Sequence, residues 1–166
     1  MQAREQGFTE PDPRDDLNGL DVARKVTTLA RECGLMVELS DVPVDNLVPE
    51  ALRSAESADA YLSALPEYDA EMAKKAEEAA ANGEVLRYVG VVDIENKKCS
   101  VELRRYPNTH AFATLSGSDN IILFNTIRYS QQPLIVRGPG AGAEVTAGGV
   151  FGDMLRLAAH LGGPST

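Results

Sequence analysis

The hydrophobic rhythm of the chain changes at Val85, and that change limits the folds open to it. Before it, apolar residues recur at helical spacing. After it, VLRYVGVVDIE (85–95) and SVELRRY (100–106) read as strands joined across Asn96–Lys98, a hairpin connection. Val101 and Leu103 alternate with Glu102 and Arg104, so one face of that strand is buried. NIILFNTIRY (120–129) and LIVR (134–137) are two further strands, and a last helix covers about 144–161. Connections this short leave no room for crossover helices and predict an antiparallel meander. Helices, then strands, then a helix make an α+β fold: a mainly antiparallel sheet with helices on one face.

Within the helical half, a helix is expected from about 18 to 33, with Asp16 or Asn18 as N-cap and Gly34 just past its end. Val22, Val26, Leu29 and Cys33 form its expected buried stripe, with Asp21 and Lys25 at the border, partly shielded from water. Leu35–Leu39 is a short strand candidate, and 41–49 a loop containing Pro43 and Pro49. Ser57 is placed to cap ADAYLSAL, and Pro66 to open a helix ending near Asn82–Gly83. That helix carries Glu71–Lys75 and Lys74–Glu78 pairs and a thin apolar face at Met72, Ala76 and Ala79.

With 166 residues, 43% of them hydrophobic, the chain can bury one domain core. A net charge of −9 opposes nucleic acid and anionic membrane surfaces as partners. Two cysteines, Cys33 and Cys99, and two histidines, His110 and His160, supply neither a disulfide framework nor a metal site. No apolar run reaches the roughly 20 residues of a membrane helix. The opening MQAREQG has neither signal-peptide nor transit-peptide character.

Chemistry-bearing residues gather in GFTEPDPRDDLNGLDVARK, 7–25. Glu10, Asp12, Asp15, Asp16, Asp21 and the flanking Glu5 stand against Arg14, Arg24 and Lys25. Pro11 and Pro13 bias Glu10 and Asp12 toward extended geometry, so Glu10 is held on a stiff, non-helical segment. Asp21 and Lys25 are neighbours on one helix face. Alone, such a pair is a surface contact worth about 0.3–0.5 kcal/mol. A proline-stiffened acidic loop feeding the same helix points instead to a site.

A second feature is a strand running into Gly138, Gly140 and Gly142 and then a helix, which looks like a dinucleotide fingerprint. Only 24 residues follow Gly142, whereas one βαβ unit takes roughly 30, so no complete dinucleotide-binding domain follows that turn. The last helix has a bulky face (Val150, Met154, Leu157, Ala158, Leu161) and a small one (Gly148, Gly152, Ala159). On residues alone, a packing turn and a ligand-binding turn stand level.

Ala3, Gly7, Phe8, Thr9, Asp12, Pro13, Asp16, Leu17, Gly19, Asp21 and Lys25 stand at the spacing of the homoserine dehydrogenase signature. VLRYVGVVD, SGSDN and RGPGAGAEVTAGGVFGD extend the likeness, so the chain resembles that family nearly throughout. The wording is nearest its plastid branch, in which the enzyme is joined to an aspartokinase. The resemblance implies NAD- or NADP-dependent interconversion of L-aspartate 4-semialdehyde and L-homoserine, in threonine, methionine and isoleucine biosynthesis. It implies Lys25 as general acid, assisted by Asp21, and Glu10 as the holder of the substrate ammonium. Asp16 and Asp21 would orient substrate and lysine, Phe8 would line the substrate site where many members carry tyrosine, and Gly142 would touch the nicotinamide cofactor; no metal is implied. Residues 1–88 would be the catalytic region, 89–142 a sheet through which a homodimer forms, and 143–166 a helix packing on a nucleotide-binding domain. The glycine fingerprint of that domain, and a second lysine the family uses, would lie outside these residues, leaving the isolated chain inactive. The alternative is an inactive fragment or a stand-alone dimerising, amino-acid-binding module. A plastid location is implied, with the cytoplasm as alternative.

Overall fold

The computed structural model describes residues 2–140 and 142–163; Met1, Ala141 and 164–166, at the margins of the expected regions, lie outside the described residues. In order the elements are α1 (Gln2–Glu5), α2 (Pro13–Leu17), α3 (Leu20–Glu32), α4 (Ala58–Ala64), α5 (Asp69–Ala81), β1 (Glu84–Asp93), β2 (Lys98–Pro107), β3 (Asp119–Phe124), β4 (Leu134–Pro139) and α6 (Ala143–His160). They divide into two units: Thr9–Thr114, and the residues up to Phe8 together with those from Leu115 onward.

The Thr9–Thr114 unit is built on the β1–β2 hairpin, paired antiparallel from Glu84↔Pro107 to Asp93↔Lys98. Asp93 holds the turn by accepting from the Asn96 amide (3.0 Å) and side chain (2.8 Å), and Lys97 takes the left-handed conformation (φ 53°). Tyr88↔Leu103, Gly90↔Val101 and Val92↔Cys99 share a face by register, and α3 packs on that face. Its core joins Ala23, Val26 and Ala30 of α3 to Val42, Cys99 and Val101. Burying each valine contributes about 1.5–3 kcal/mol. Gly90 lets the helix come close, because a Cβ there would collide with Val26 Cγ2. Arg105, opposite Leu86 on the same face, pairs with Glu78 of α5 at 2.8 Å, so both helices lie on one side, as the strand pattern predicts. The other side is met by a 3₁₀ turn, Ala111–Thr114, whose Phe112 and Ala113 carbonyls accept from the Arg87 guanidinium (2.8 and 2.9 Å).

Several local expectations change. The helix expected at 18–33 is α3, Leu20–Glu32; a short helix that the pattern does not predict, α2, precedes it and is separated from it by Gly19 at φ 78°. Asp12 caps α2 and Asp16 lies inside it, so Asp16 does not cap the longer helix; Asn18, the other expected cap, accepts the Leu20 amide on Oδ1 at 2.8 Å, serving the first turn of α3. The buried stripe is Ala23, Val26, Thr27 and Ala30; Leu29 is exposed, and so is Cys33, while Cys99 is the buried thiol. Val22 packs partly buried against the same core, so the stripe keeps its two valines and takes Ala23 and Ala30 in place of Leu29 and Cys33. Leu35–Leu39 forms no strand. Glu38 and Asp41 cap a 3₁₀ turn reciprocally, and it is Val44 that pairs, in parallel, with Val101. Pro66 opens a 3₁₀ turn before α5, and of the expected apolar face only Ala79 is buried.

In the other unit β3 and β4 pair antiparallel from Asp119↔Pro139 to Phe124↔Leu134, with Arg137 Nε on Asp119 Oδ2 at 2.8 Å. The third strand ends at Phe124, short of 129, and the strands form two hairpins rather than one meander. Gly140 passes so near Asn120 that a Cβ would overlap its side-chain amide. The 18 residues of α6 follow Gly142 (φ 117°) and include no buried residue; Val150, Phe151, Met154 and Leu157 are each more than half exposed.

Gly19 answers two demands at once: its left-handed φ, and a Cβ that would strike Tyr88 Oη and lie 2.6 Å from Val44 Cγ1. Gly34 (φ 88°) has only the first, with nothing within 4 Å of a Cβ. Gly34→Ala should therefore cost about 1–2 kcal/mol, and Gly19→Ala clearly more. Denaturant titration of both variants checks the order; equal losses would mean that the Tyr88 contact carries no weight.

Candidate functional site

Pro11 and Pro13 do what the sequence asks of them. Glu10 is non-helical and Asp12 is extended (φ −108°, ψ 111°), with Pro13 opening α2. The loop is then tied three ways. The Glu10 amide donates to Asp16 Oδ2 at 3.0 Å. Asp12 Oδ1 accepts from the Arg14 amide at 3.0 Å, and both Asp12 oxygens accept from Arg14 Nε at 3.0 and 3.1 Å. Arg14 Nη1 donates to the Ala55 carbonyl at 2.7 Å, across 41 residues of sequence. The guanidinium lies 5.8 Å from the ring centroid of Tyr61, which is fully buried.

The electrostatics follow from those contacts. Hydrogen bonds from the Arg14 side chain, then its amide, hold the Asp12 carboxyl below the ordinary carboxylate range. The same bonds raise Arg14. Burial, reinforced by the Asp12 charge, pushes the Tyr61 phenol up.

One turn into α3, Lys25 Nζ meets Asp21 Oδ2 at 2.7 Å. The pair is not shielded as expected: each side chain is 62% exposed. With the stripe rotated onto Ala23 and Val26, positions 21 and 25 face outward. Two pairs are thus brought together, Glu10 with Asp16 and Asp21 with Lys25. Among the described residues no hydrogen bond or ion pair joins one to the other. Grooves of 790 Å³ (Gly34–Val37 with the Ser100–Arg104 side of β2) and 600 Å³ (Asp12, Arg14, Asn46, Arg53) include none of these four residues. In the other unit, Phe8 is 45% exposed and its amide donates to the Ala3 carbonyl at 2.9 Å. Gly142 heads α6, with open space where a Cβ would be.

The profile of the homoserine dehydrogenase family matches residues 1–155. The chain belongs to the homoserine dehydrogenase family. It is 66% identical, over 99% of its length, to maize (Zea mays) chloroplastic bifunctional aspartokinase/homoserine dehydrogenase 1, of which it covers 18%. It is 54% identical, over 93% of its length, to the homoserine dehydrogenase of Schizosaccharomyces pombe, of which it covers 42%. A crystal structure of a Candida auris protein of unknown function superposes with a TM-score of 0.87 at 49% identity, covering 95% of this chain and 44% of that one. The chain therefore spans less than half the length of these relatives. Among the described residues no helix is long and apolar enough to cross a membrane.

The Arg14 anchor was not visible in the sequence. There Arg14 is only a countercharge, because Ala55 and Tyr61 reach it through the tertiary fold.

Asp12 has a depressed folded pKa, so its stabilisation is complete above its unfolded value of about 3.9 and is lost as pH falls through the lower folded value. Asp12→Asn keeps the cap oxygen but removes that titration. The melting temperature of the parent should drop more steeply than that of D12N as pH falls below about 4; parallel curves would mean that the pair adds nothing.

Proposed function

We propose that these residues form the substrate-handling and proton-transfer part of an NAD(P)-dependent homoserine dehydrogenase, interconverting L-aspartate 4-semialdehyde and L-homoserine. The observation that carries this is the Asp21–Lys25 pair, held at 2.7 Å on an outward helix face one turn after the Glu10–Asp16 loop, in a chain whose family match runs over 1–155.

Reduction of the aldehyde leaves charge on its oxygen, and a proton must arrive there. Lys25 supplies it, and takes it back in the oxidation of homoserine. Asp21 holds the ammonium of Lys25 in place. Glu10 receives the α-ammonium of substrate as a charge-assisted hydrogen bond. Its position is set by its own amide on Asp16, which leaves the second Asp16 oxygen for substrate. Phe8 gives an apolar contact and no hydroxyl.

The chemistry that a nicotinamide dinucleotide supplies when bound is hydride exchange with the carbon bearing that oxygen. Gly142 fits the edge of such a group: its φ of 117° and the open space beside it expose backbone at the head of an 18-residue helix. The family resemblance assigns the remainder of the dinucleotide site to polypeptide outside residues 1–166. The apolar side chains of α6 are read as covered by the nucleotide-binding domain. The ribbon of β3 and β4, with Ile122, Phe124, Leu134, Ile135 and Val136 exposed, is read as homodimer surface. The chloroplastic names of plant relatives support a plastid location.

In a complete enzyme containing this segment, Lys25→Ala should lower kcat by about 10²–10⁴-fold with a far smaller change in KM; an unchanged kcat removes the role. Glu10→Ala should mainly raise KM for homoserine, and a KM that stays put removes the ammonium contact.

A further inference from the structure

We propose that Arg14 is a positioning residue for substrate. It acts through Asp12 and α2 to hold Glu10 and Asp16 in the one geometry that receives the amino acid. This rests on the dehydrogenase function proposed above.

Arg14 spends its donors in two directions. Nε bridges both Asp12 oxygens, and Nη1 reaches the Ala55 carbonyl at 2.7 Å and that of Arg53 at 3.4 Å. The first contact binds the loop to its own helix. The second binds that helix to the segment leading into α4. The guanidinium plane is backed by Tyr61, which is fully buried and whose hydroxyl has no hydrogen-bond partner among the described residues. The Arg14 side chain is only 20% exposed, and Asp12 31%, in contrast to the 62% of Asp21 and Lys25. The clamp is therefore the sheltered part of the site and the reacting groups are the open part.

The coupling is short. Asp16 sits in the same five-residue helix as Arg14, two positions on, and its Oδ2 takes the Glu10 amide. A helix that short holds no shape by itself. It depends on the Asp12 cap and on the Arg14 anchor. If the anchor goes, α2 is released from the Ala55 carbonyl, and the Glu10–Asp16 pair moves with it. Lysine cannot replace arginine here, because a single ammonium cannot bridge a carboxylate and reach a carbonyl on the far side with the geometry of a planar fork.

The test uses the complete dehydrogenase that contains this segment, comparing the parent with Arg14→Ala and Arg14→Lys. Measured are kcat, KM for homoserine, KM for the nicotinamide cofactor, and the melting temperature. In both variants KM for homoserine should rise about tenfold or more, as displacement of a binding group by about an ångström does. KM for the cofactor should stay within about twofold, since none of the clamp's contacts involves Gly142, the residue assigned to the cofactor. A folded variant of either kind with an unchanged homoserine KM overturns the proposal. So does R14K behaving as the parent, which would make charge alone sufficient. If both variants lose the two substrates equally, in step with the melting temperature, or fail to fold, Arg14 is structural and the proposal is wrong. A parent enzyme that does not oxidise homoserine would instead defeat the proposed function, a result distinct from any of these.

Discussion

The contact between α3 and the β1–β2 hairpin is the constraint on which the Thr9–Thr114 unit depends. Gly90 has no side chain, Ala23 and Ala30 have almost none, and Val26 fills the space between. Close packing of small groups sets the rotation of the helix about its axis as firmly as a large side chain would. That rotation sends Asp21 and Lys25 to the opposite, outward side. Gly19 enforces the entry angle, since its left-handed backbone passes beside Tyr88, whose hydroxyl is tied to the Asp45 carbonyl at 2.7 Å. Core packing and the placement of Lys25 are therefore one event.

The candidate site has two tiers. Below are Asp12, Arg14 and Tyr61, half-buried or buried and joined by hydrogen bonds and ring contact. Above are Glu10, Asp16, Asp21 and Lys25, paired two by two. An exposed ion pair contributes little to stability. In the proposed function its value lies in holding the Lys25 ammonium toward substrate. The outward site, the uncovered α6 and the apolar ribbon of β3 and β4 share one physical description: surfaces that call for further polypeptide. Coverage of less than half of each relative's length accords with that.

Much of this was legible in the residues. Pattern alone placed the four strands and the β1–β2 hairpin, because alternation and short connections favour antiparallel pairing, but it joined the two pairs into one meander where the fold has two separate hairpins. It placed α6 after Gly142, and Ser57 as the cap of α4, where its side chain accepts the Ala60 amide at 3.1 Å. It also held Glu10 out of any helix. The errors came where two local signals competed. Asp16 and Asn18 both read as caps of the longer helix; Pro13 at the first helical position, capped by Asp12, opened a separate short helix that takes in Asp16. Leu35–Leu39 has strand character, but Glu38 and Asp41 offered the backbone a reciprocal cap, and Val44 was left to pair with Val101.

The sequence by itself determined the family, the first hairpin and the identity of the residues that can carry charge, because these depend on residue type and spacing. Tertiary structure alone decided which side of α3 faces water. A helical stripe of Val22, Val26, Leu29 and Cys33 is as periodic as one of Ala23, Val26 and Ala30, and only packing against Val42, Cys99 and Val101 chooses between them. It likewise decided what anchors the acidic loop. The Ala55 carbonyl and the Tyr61 ring are distant along the chain, and no local periodicity can report a contact made by folding.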